Sequence, residues 1–381
     1  MKIALVHDYL TQNGGAERVF QLLCRFFKEA DIYSSIYDPR NTVSFRKNRP
    51  VNTTFLQKVP GAKKGFRALA PFYYQAFRQL DLQDYDLIIS STSSFAKGVR
   101  KKPGAMHICF CHNVTRFLWD TRTYLKEYGK YRKLSPMLEP IFNKMREQDL
   151  LYAQEPDLYI ANSSTVGERI EKIYNRKSLV INYPIDTSKF VFSPQKEDYY
   201  LISSRIISYK RLDVAVEAFN WLGLPLIVTG DGPERKRLEA KALDNIKFLG
   251  YVDDKWRTSL MAKAKGVIVT ALEDYGLVPI EANASGTPVI AYGAGGVLDT
   301  QVTGKTGVLF TPQSPDALQA AIIRAEATDW NYQEIRQHAL DNFSEAVFFA
   351  KVVRVIEEFC GQSALSQVDK KSLNKVAVGV S

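Results

Sequence analysis

The sequence has little cysteine and no long apolar run, and both shortages limit the kind of protein that it encodes. Its four cysteines, Cys24, Cys109, Cys111 and Cys360, lack the spacing of a disulfide framework, as is typical of a protein from a reducing compartment. No run of ~18 apolar residues occurs, so no membrane-spanning helix is predicted. The first residues predict a strand and lack the apolar core and cleavage site of a signal peptide. Together these features predict a cytoplasmic protein.

Positive charge is in excess, but only in the first half of the chain. The 381 residues carry a formal net charge of +10. Residues 1–190 hold 30 lysines and arginines against 18 acidic residues, whereas the remainder holds 21 against 23. This asymmetry predicts an anionic partner for the first half: a membrane surface, a phosphorylated acceptor or a nucleic acid.

Short apolar runs alternate with longer amphipathic stretches throughout the chain. This alternation is typical of parallel strands that crossover helices bury on both faces. In the first half the predicted strands are Ile3–His7, Asp31–Ser35, Leu87–Ser90, His107–Cys111, Leu158–Ala161 and Leu179–Ile181. In the second half they are Tyr200–Ser203, Leu226–Thr229, Ile246–Phe248, Gly266–Thr270, Val289–Ala291 and Gly307–Phe310. The pattern predicts an α/β protein with two doubly wound, Rossmann-like parallel sheets.

The boundary between the two predicted domains falls at Asn182-Tyr-Pro-Ile-Asp186, where a proline ends the preceding strand. We therefore predict a first domain over residues 1–185 and a second over residues 186–360. Residues 361–381 are polar and weakly patterned, which predicts a loosely held tail.

Two glutamates, Glu273 and Glu281, flank a glycine and the predicted start of a helix. Pro279 suits the first turn of that helix, and Gly286 is placed to end it. Ligands of open α/β sheets bind at the carboxyl ends of the strands, and helix N-termini favour anions there. The spacing also fits a plain alternative, in which Glu281 is a first-turn acid and Glu273 a loop charge. The backbone N–H groups predicted to face a ligand are those of Gly276, Leu277 and Val278.

The run from Glu273, E-D-Y-G-L-V-P-I-E-A-N-A-S-G-T-P-V-I-A, resembles the signature of glycosyltransferase family 4. The resemblance continues in S-R-I-I-S-Y-K-R-L-D-V-A-V-E-A-F-N, I-V-T-G-D-G-P-E, N-I-K-F-L-G-Y-V-D and G-V-L-D-T-Q-V-T-G-K-T-G-V-L-F. It is close over residues 200–310 and looser in the first half. It implies a retaining enzyme of GT-B fold, in which two Rossmann-like domains face each other across a cleft that holds the active site.

Arg205 and Lys210 are the candidate ligands of the donor diphosphate. Arg205 ends a predicted strand, and Lys210 precedes a helix, Leu212–Leu222, that Ser208 is placed to cap. Two cations beside a helix N-terminus can bind a diphosphate without metal, although solvated surface cations are the plain alternative. The resemblance implies that these residues hold the diphosphate and stabilise it as the leaving group.

The resemblance assigns further residues to the donor site. Gly14 and Gly15 follow the first strand, where they are implied to face the donor diphosphate and sugar; a tight turn is the alternative. His112 follows the strand His107–Cys111 and is implied to lie against the donor sugar, as opposed to a structural histidine. The remaining assignments are Tyr251 and Val252 at the base, Glu273 with the amides at the sugar, and Glu281 at the ribose. Tyr275 is assigned to the donor site without a specified contact.

Three motifs are compatible with other chemistry. Cys109-Phe-Cys111-His112 suggests zinc, but no second Cys/His pair at ligand spacing supports it. Asp84-Tyr-Asp86 has the Asp-x-Asp form of a metal-dependent transferase, but its position favours a turn before a strand. Gly293-Ala-Gly-Gly296 lacks the full spacing of a dinucleotide loop.

The sequence thus predicts a metal-independent, retaining hexosyltransferase that requires no cofactor beyond its nucleoside diphosphate sugar donor. The expected donor is UDP-glucose, with GDP-mannose second, and the expected acceptor is a glycan or lipid-linked sugar in polysaccharide biosynthesis. The alternatives are a nucleotide-sugar epimerase or sugar phosphorylase, a nicotinamide-dependent oxidoreductase, and a nucleic-acid-binding protein; nucleic acid is not an expected partner.

The segment Lys58–Leu80 mixes cations with aromatic residues, and a second cationic stretch covers Arg122–Arg146. Such mixtures suit the surface of an anionic membrane, where each cation contributes ~1 kcal/mol. The alternative is ordinary helices whose aromatic side chains face the core, and Pro71 limits any single helix here. We therefore expect peripheral attachment to the inner face of the cell membrane.

Overall fold

A computed structural model of the chain describes residues 1–42, 49–121 and 135–361. The chain forms two compact units. The first contains Met1–Tyr183 together with the chain from Phe349 onward, and the second is Pro184–Phe348. Of the predicted tail, only residue 361 lies within the described ranges.

A parallel sheet forms the centre of the first unit. Its strands within the described residues are β1 (Ile3–His7), β2 (Asp31–Ser34), β3 (Val51–Thr53), β4 (Leu87–Thr92), β5 (Met106–Cys111), β6 (Leu158–Ala161) and β7 (Ser178–Val180). Their spatial order is β3-β2-β1-β4-β5-β6-β7, so the direction of winding reverses between β1 and β4. All residues of β1 and β4 are buried, because such a sheet has helices on both faces.

The helices of the first unit flank this sheet. They are α1 (Gly15–Phe26), α2 (Ala62–Gly65), α3 (Tyr73–Arg78), α4 (Arg116–Trp119), α5 (Ser135–Tyr152) and α6 (Ser164–Tyr174). Helix α1 presents an apolar face to the core and buries Val19, Phe20, Leu22, Leu23 and Phe26. This 3.6-residue periodicity explains why the segment forms a helix and which side of it meets the core.

The second unit repeats the design with a second parallel sheet. Its strands are β8 (Tyr200–Ser203), β9 (Leu226–Thr229), β10 (Ile246–Gly250), β11 (Gly266–Val269), β12 (Val289–Tyr292) and β13 (Gly307–Phe310). Their order is β10-β9-β8-β11-β12-β13, and winding reverses between β8 and β11. The helices are α7 (Leu212–Leu222), α8 (Arg235–Glu239), α9 (Asp254–Lys263), α10 (Leu277–Ala284), α11 (Pro315–Glu326), α12 (Tyr332–Phe343) and α13 (Glu345–Cys360).

The predicted fold class, two Rossmann-like α/β units, is confirmed. The bounds of six elements are those predicted: β1, β6, β8, β9, β13 and α7. The other predicted strands differ by one or two residues at their ends. The edge strand β3 was not predicted, because its three residues are half-buried or exposed and carry no apolar run.

The last helix, α13, crosses from one unit to the other, which differs from the predicted domain of residues 186–360. It begins in the second unit, and from Phe349 onward it belongs to the first. There the ring of Phe349 stacks on Phe26 of α1, with centroids 4.0 Å apart and planes 4° from parallel. Burial of this aromatic pair is the physical reason that the end of the helix joins the first unit.

Candidate functional site

A cavity of about 190 Å³ opens at the carboxyl ends of β8 and β11 in the second unit. These are the neighbouring strands at which the winding reverses, the position where doubly wound sheets bind ligands. Its lining includes residues of both strand ends and of the loop and helix that follow β11: Ser203, Ser204, Arg205, Lys210, Thr270, Ala271, Glu273 and Val278. The structure therefore brings four of the predicted donor residues to one cavity.

Lys210 and Glu273 form an ion pair in this cavity. The Nζ of Lys210 donates a hydrogen bond to Oε1 of Glu273 over 2.5 Å, and both side chains are mostly buried. Burial acts to lower the pKa of Lys210, but the negative charge of Glu273 outweighs it and raises this pKa above its usual value. Lys210 is therefore a permanent cation that also holds the carboxylate in place.

A tight turn carries Lys210 at the cavity, and the start of the following helix differs from the prediction. Ser208–Lys210 form one 3₁₀ turn, and Arg211 then adopts a left-handed conformation at φ 52° before α7 begins. The prediction that Ser208 caps this helix is wrong, because Arg211 occupies the N-cap position and α7 has no side-chain cap. The carbonyl of Lys210 instead accepts a hydrogen bond of 2.8 Å from Oγ1 of Thr270, which ties the turn to the end of β11.

Arg205 follows β8 and is exposed at the same cavity. Its guanidinium donates a hydrogen bond to the hydroxyl of Tyr209 over 3.2 Å. An exposed guanidinium at the rim of a cavity keeps its fork of donors available for a phosphate, which is the ligand geometry that arginine suits best.

The loop after β11 leads into α10 through Gly276, whose φ of 87° favours glycine. The helix begins at Leu277 and contains Pro279 in its first turn, where the missing N–H has no partner to lose. Val278 lines the cavity, whereas Tyr275 is buried beneath the loop. The first N–H groups of a helix have no partner within it, so this end adds positive potential beside Lys210.

Glu281 lies one turn further into the helix than predicted. It is the fifth residue of α10, so its interpretation as a first-turn acid is wrong. Its carboxylate is buried and accepts a hydrogen bond from Nη1 of Arg257, on α9, over 2.6 Å. Glu281 is not among the residues that line the cavity. Sequence reasoning missed Arg257, because a contact between residues 24 positions apart leaves no local pattern.

Tyr251 and Val252 follow β10 outside the cavity lining. Tyr251 is 85% exposed, whereas Val252 is buried. An exposed aromatic ring at a strand end is available for stacking on a planar ligand such as a nucleobase.

Gly295 and Gly296 pack against the loop that follows β11, a role that the sequence did not reveal. The amide of Gly296 donates to the carbonyl of Glu273 over 2.8 Å. A Cβ on Gly296 would lie 2.4 Å from the Cα of Tyr275, so only glycine permits this approach. The paired glycines, which suggested a dinucleotide loop, instead allow the backbone at Gly296 to pack against the backbone at Tyr275.

The first unit holds the remaining predicted residues. Gly14 is the N-cap of α1, its amide donates to Oε2 of Glu17 over 2.8 Å, and Gly15 is the first residue of the helix. His112 follows β5 and is buried, with Nε2 2.7 Å from Oγ of Ser91 on β4. Burial, assisted by the neighbouring imidazole of His7, lowers the pKa of His112 to about 3, so its ring is neutral at physiological pH.

Asp8, directly after β1, is a buried carboxylate that the sequence analysis did not single out. It organises the loop that follows β4 by accepting five hydrogen bonds of 2.7–3.0 Å. The donors are Oγ1 of Thr92 and the amides of Ser93, Ser94, Phe95 and Ala96. The sequence could have identified Asp8, because an acidic residue at the end of the first buried strand lies where the winding of the sheet reverses.

Neither suggested metal motif is a ligand set in the structure. Within residues 1–42, 49–121 and 135–361, no group of three or more His, Cys, Asp and Glu side chains could hold a metal ion. Cys109 and Cys111 are fully buried, and burial raises the pKa of Cys109 to about 12. Asp86 lies at the opposite end of β4 from Ser91 and accepts hydrogen bonds from the amide of Lys2 and from Lys102.

In the segment Lys58–Leu80, most of the predicted membrane-facing aromatic residues belong to the core. Phe66, Tyr73, Tyr74 and Phe77 are buried, which corrects their assignment to an interface. Phe72 is half exposed, and the cations of the same segment at positions 58, 63, 64 and 67 are exposed. Of the second predicted stretch, residues 122–134 lie outside the described ranges. No helix of the part that the structure describes is long and apolar enough to span a bilayer.

These two units and the cavity define a GT-B-type protein, and comparison with known proteins identifies its family. A model of glycosyltransferase family 4 matches residues 13–189, and a model of glycosyl transferases group 1 matches residues 185–342. The two matches overlap at residues 185–189 and together cover most of the chain. The chain belongs to the group 1/family 4 glycosyltransferases of GT-B fold.

Individual relatives are distant. The chain is 25% identical over 219 residues to D-rhamnosyltransferase WbpZ of Pseudomonas aeruginosa, covering 52% of this chain and 56% of the relative. It is 25% identical over 187 residues to a glycogen synthase of Mycobacterium tuberculosis, covering 44% and 45%. The chain thus spans about half the length of these two relatives. The crystal structure of Anabaena HepE in complex with UDP and glucose matches with a TM-score of 0.66 at 20% identity, covering 94% of this chain and 99% of that one.

Proposed function

We propose that this protein is a retaining glycosyltransferase that moves a hexose from a nucleoside diphosphate sugar to a glycan or lipid-linked sugar acceptor in polysaccharide synthesis. Glucose from UDP-glucose is the proposed donor group. The observation that carries the proposal is the Lys210–Glu273 ion pair beside Arg205 at the winding reversal of the second sheet. Support for the base and sugar comes from HepE, whose crystal structure contains UDP and glucose.

The cavity offers positive potential where a leaving diphosphate gains charge. Lys210, whose pKa is raised, Arg205 and the N-terminus of α10 are three such sources. Negative charge on the diphosphate grows as the glycosidic bond breaks, so these groups stabilise the transition state more than the bound donor. We propose that they replace a divalent metal in this reaction.

Glu273 has two roles in the proposal. Its Oε1 accepts the hydrogen bond from Lys210, while the lone pairs of a carboxylate can accept further bonds from sugar hydroxyls. Glu281, fixed by Arg257, is the proposed ribose ligand, with the exposed ring of Tyr251 and the backbone of Val252 at the base. Gly14, Gly15 and His112 are proposed to contact the donor sugar and diphosphate.

In the proposed step, the acceptor hydroxyl attacks the anomeric carbon on the face from which the diphosphate leaves. The bond from the acceptor oxygen to that carbon forms as the bond to the phosphate oxygen breaks, and the hydroxyl proton passes to the departing diphosphate. The product keeps the anomeric configuration of the donor. No covalent enzyme intermediate is involved.

The test is ligand-dependent thermal stability followed by product analysis. UDP, UDP-glucose, GDP and GDP-mannose are compared in excess EDTA. A ligand at 100 times its dissociation constant adds ~2.7 kcal/mol, which raises the melting temperature of a unit of this size by roughly 5–10 °C. Lys210→Met should reduce the shift, whereas Lys263→Met, at an exposed ion pair, should not. Absence of a shift with every nucleotide, or a product of inverted configuration, would contradict the proposal.

We also propose that the first unit attaches peripherally to an anionic membrane. The exposed cations Lys58, Lys63, Lys64 and Arg67 belong to the same segment as the half-exposed Phe72. Phe66, Tyr73, Tyr74 and Phe77 of that segment are buried in the core. Co-sedimentation with anionic and neutral vesicles at low and moderate salt tests this attachment. Replacing the four cations by glutamine should abolish binding, and a protein that stays in the supernatant with anionic vesicles at low salt would refute it.

A further inference from the structure

Four buried side chains link the start of α1 to His112 within the first unit. Nε2 of His112 lies 2.7 Å from Oγ of Ser91, and the same oxygen lies 3.1 Å from Nδ1 of His7. On the other side of the His7 ring, Nε2 is 4.0 Å from Oε1 of Glu17. All four residues are more than nine-tenths buried, so water does not replace these contacts.

Packing holds the two rings in these orientations. Phe20 stacks on His7 with centroids 4.7 Å apart and planes 24° from parallel. The ring of Tyr183 meets His112 at 5.1 Å in an edge-on arrangement. Ring rotation would therefore disrupt both the aromatic contacts and the hydrogen bonds. What remains to be determined is which group donates and which accepts in each contact from Glu17 to His112.

The hydrogen-bond inventory, together with the negative charge of Glu17 4.0 Å from His7, favours one order. Ser91 has a single hydroxyl proton, so it donates to one imidazole and must accept from the other. The carboxylate of Glu17 only accepts, and it therefore favours the ring proton of His7 on Nε2. His7 with one ring proton then has a bare Nδ1, which accepts the hydroxyl of Ser91. Ser91 must in turn accept from Nε2–H of His112.

Glu17 is suited to begin this chain because its charge is held firmly. Burial acts to raise its pKa, but its hydrogen bonds and the neighbouring imidazole of His7 outweigh burial and lower it. The carboxylate also accepts from the amide of Gly14 and from Nε2 of Gln12 at 2.8 and 2.9 Å. A Cβ on Gly14 would lie 2.7 Å from Oε2 of Glu17, so the first glycine of the loop leaves room for this carboxylate.

We infer that Glu17, His7 and Ser91 are positioning residues that fix His112 in the Nε2–H tautomer, with Nδ1 as a hydrogen-bond acceptor for a hydroxyl of the sugar substrate. The role of Nδ1 rests on the proposed function, whereas the tautomer does not. Glu17, the carboxylate that caps α1, thus also determines the tautomer of His112, which follows β5. No local sequence motif encodes this connection.

Nuclear magnetic resonance of the full chain tests the tautomer directly. The protein has only four histidines, so selective ¹⁵N labelling and single substitutions assign every ring. Long-range ¹H–¹⁵N spectra at about pH 8.5, above the ordinary imidazole pKa, should show His112 protonated on Nε2 alone and His7 likewise. A proton on Nδ1 of His112, or two protons on His7, would overturn the inference.

Two matched variants separate positioning from packing. Ser91→Ala should convert His112 to a mixture of tautomers and lower kcat for UDP release from UDP-glucose by up to about 100-fold, with little change in donor KM. Ser91→Thr keeps the hydroxyl and should restore both. Ser90→Ala removes an equivalent buried contact, from Oγ to Nε2 of His107 at 2.8 Å, and should leave His112 and kcat unchanged.

The outcomes distinguish the two proposals. If the tautomer is as stated but no sugar nucleotide is turned over, the proposed function fails and the positioning of His112 stands. If turnover is found and Ser91→Ala retains both kcat and the Nε2–H tautomer, the positioning fails and the transferase remains.

Discussion

Removing the positive charge of Lys97 should destabilise the first unit severely. Lys97 and Asp149 form an ion pair of 2.7 Å in which the two side chains are 1% and 0% exposed. Asp149 also accepts hydrogen bonds from Tyr74, Thr115 and the indole of Trp119. These neutral donors remain in Lys97→Met, but the carboxylate loses its only countercharge among the partners that the structure records for it.

The magnitude follows from an uncompensated buried charge. Breaking a buried ion pair by removing one partner typically costs ~3–5 kcal/mol, a large fraction of the stability of one domain. Asp149→Asn in the same background removes the charge while its amide oxygen still accepts a hydrogen bond. The double variant should therefore recover part of the loss, which an additive packing effect would not allow.

The loss should also depend on pH with a defined sign. Burial acts to raise the pKa of Asp149, but Lys97 and the hydrogen bonds lower it below its usual value in the native protein. The pair therefore contributes stability above the unfolded pKa of ~3.9 and loses it as the pH falls through the folded value. Without Lys97 burial raises that pKa instead, so the difference between variant and native protein should shrink from pH 8 towards pH 5.

Denaturation in urea, followed by tryptophan fluorescence, measures the effect. Trp119 is the only tryptophan of the first unit, and its Nε1 donates to Asp149, so its signal reports the relevant transition. Lys263→Met is the matched control, because Lys263 and Glu197 pair at 2.9 Å with side chains half exposed. The control should lose no more than ~1 kcal/mol. A loss of that size in Lys97→Met would refute the reasoning.

The remaining predictions concern the candidate site and its supports. Turnover should persist in excess EDTA; loss on chelation and recovery with manganese would show that the cations of the cavity do not suffice. Lys210→Ala should lower kcat more than it weakens binding of the intact donor, measured by steady-state kinetics and calorimetry, and equal losses would indicate ground-state binding alone. Glu281→Ala should weaken binding of the nucleoside diphosphate by ~1.5–3 kcal/mol in calorimetry, and a folded variant with native affinity would exclude the ribose role. Asp8→Asn should destabilise the first unit by ~2–4 kcal/mol in urea, because an amide NH₂ would face the N–H groups of Ser93 and Ser94; a native midpoint would contradict the structure of this loop.

The sequence was sufficient for the strands and for the cavity because both depend on local pattern. Apolar runs such as that of β1 predict strands buried on both faces, and strand ends in a doubly wound sheet meet at one edge. The sequence therefore predicts that Arg205, Lys210, Glu273 and Val278 lie at one edge of the sheet, and all four line the cavity.

The contacts that set the chemistry were not predictable, because they join distant parts of the chain. The partner of Glu281 lies on the preceding helix, and that of His7 is 84 residues away. The prediction for the aromatic residues of Lys58–Leu80 was wrong for a different reason. The composition of the segment suits a membrane interface, but the residue at which each short helix begins decides which ring faces the core. Pattern predicts the element, and packing decides the direction of its side chains.

Because α13 contributes to both units, the unit that is synthesised first is not the unit whose residues are complete first. The second unit, Pro184–Phe348, is contiguous and is complete once Phe348 has been added to the growing chain. The first unit still lacks Phe349, and with it the ring that covers Phe26 on α1. Although domains generally fold from the N-terminus during translation, the unit made first here is the last to receive all of its core. During translation, the first unit therefore emerges from the ribosome with an apolar surface on α1 that Phe349 covers only later. In that interval the surface is open to a chaperone.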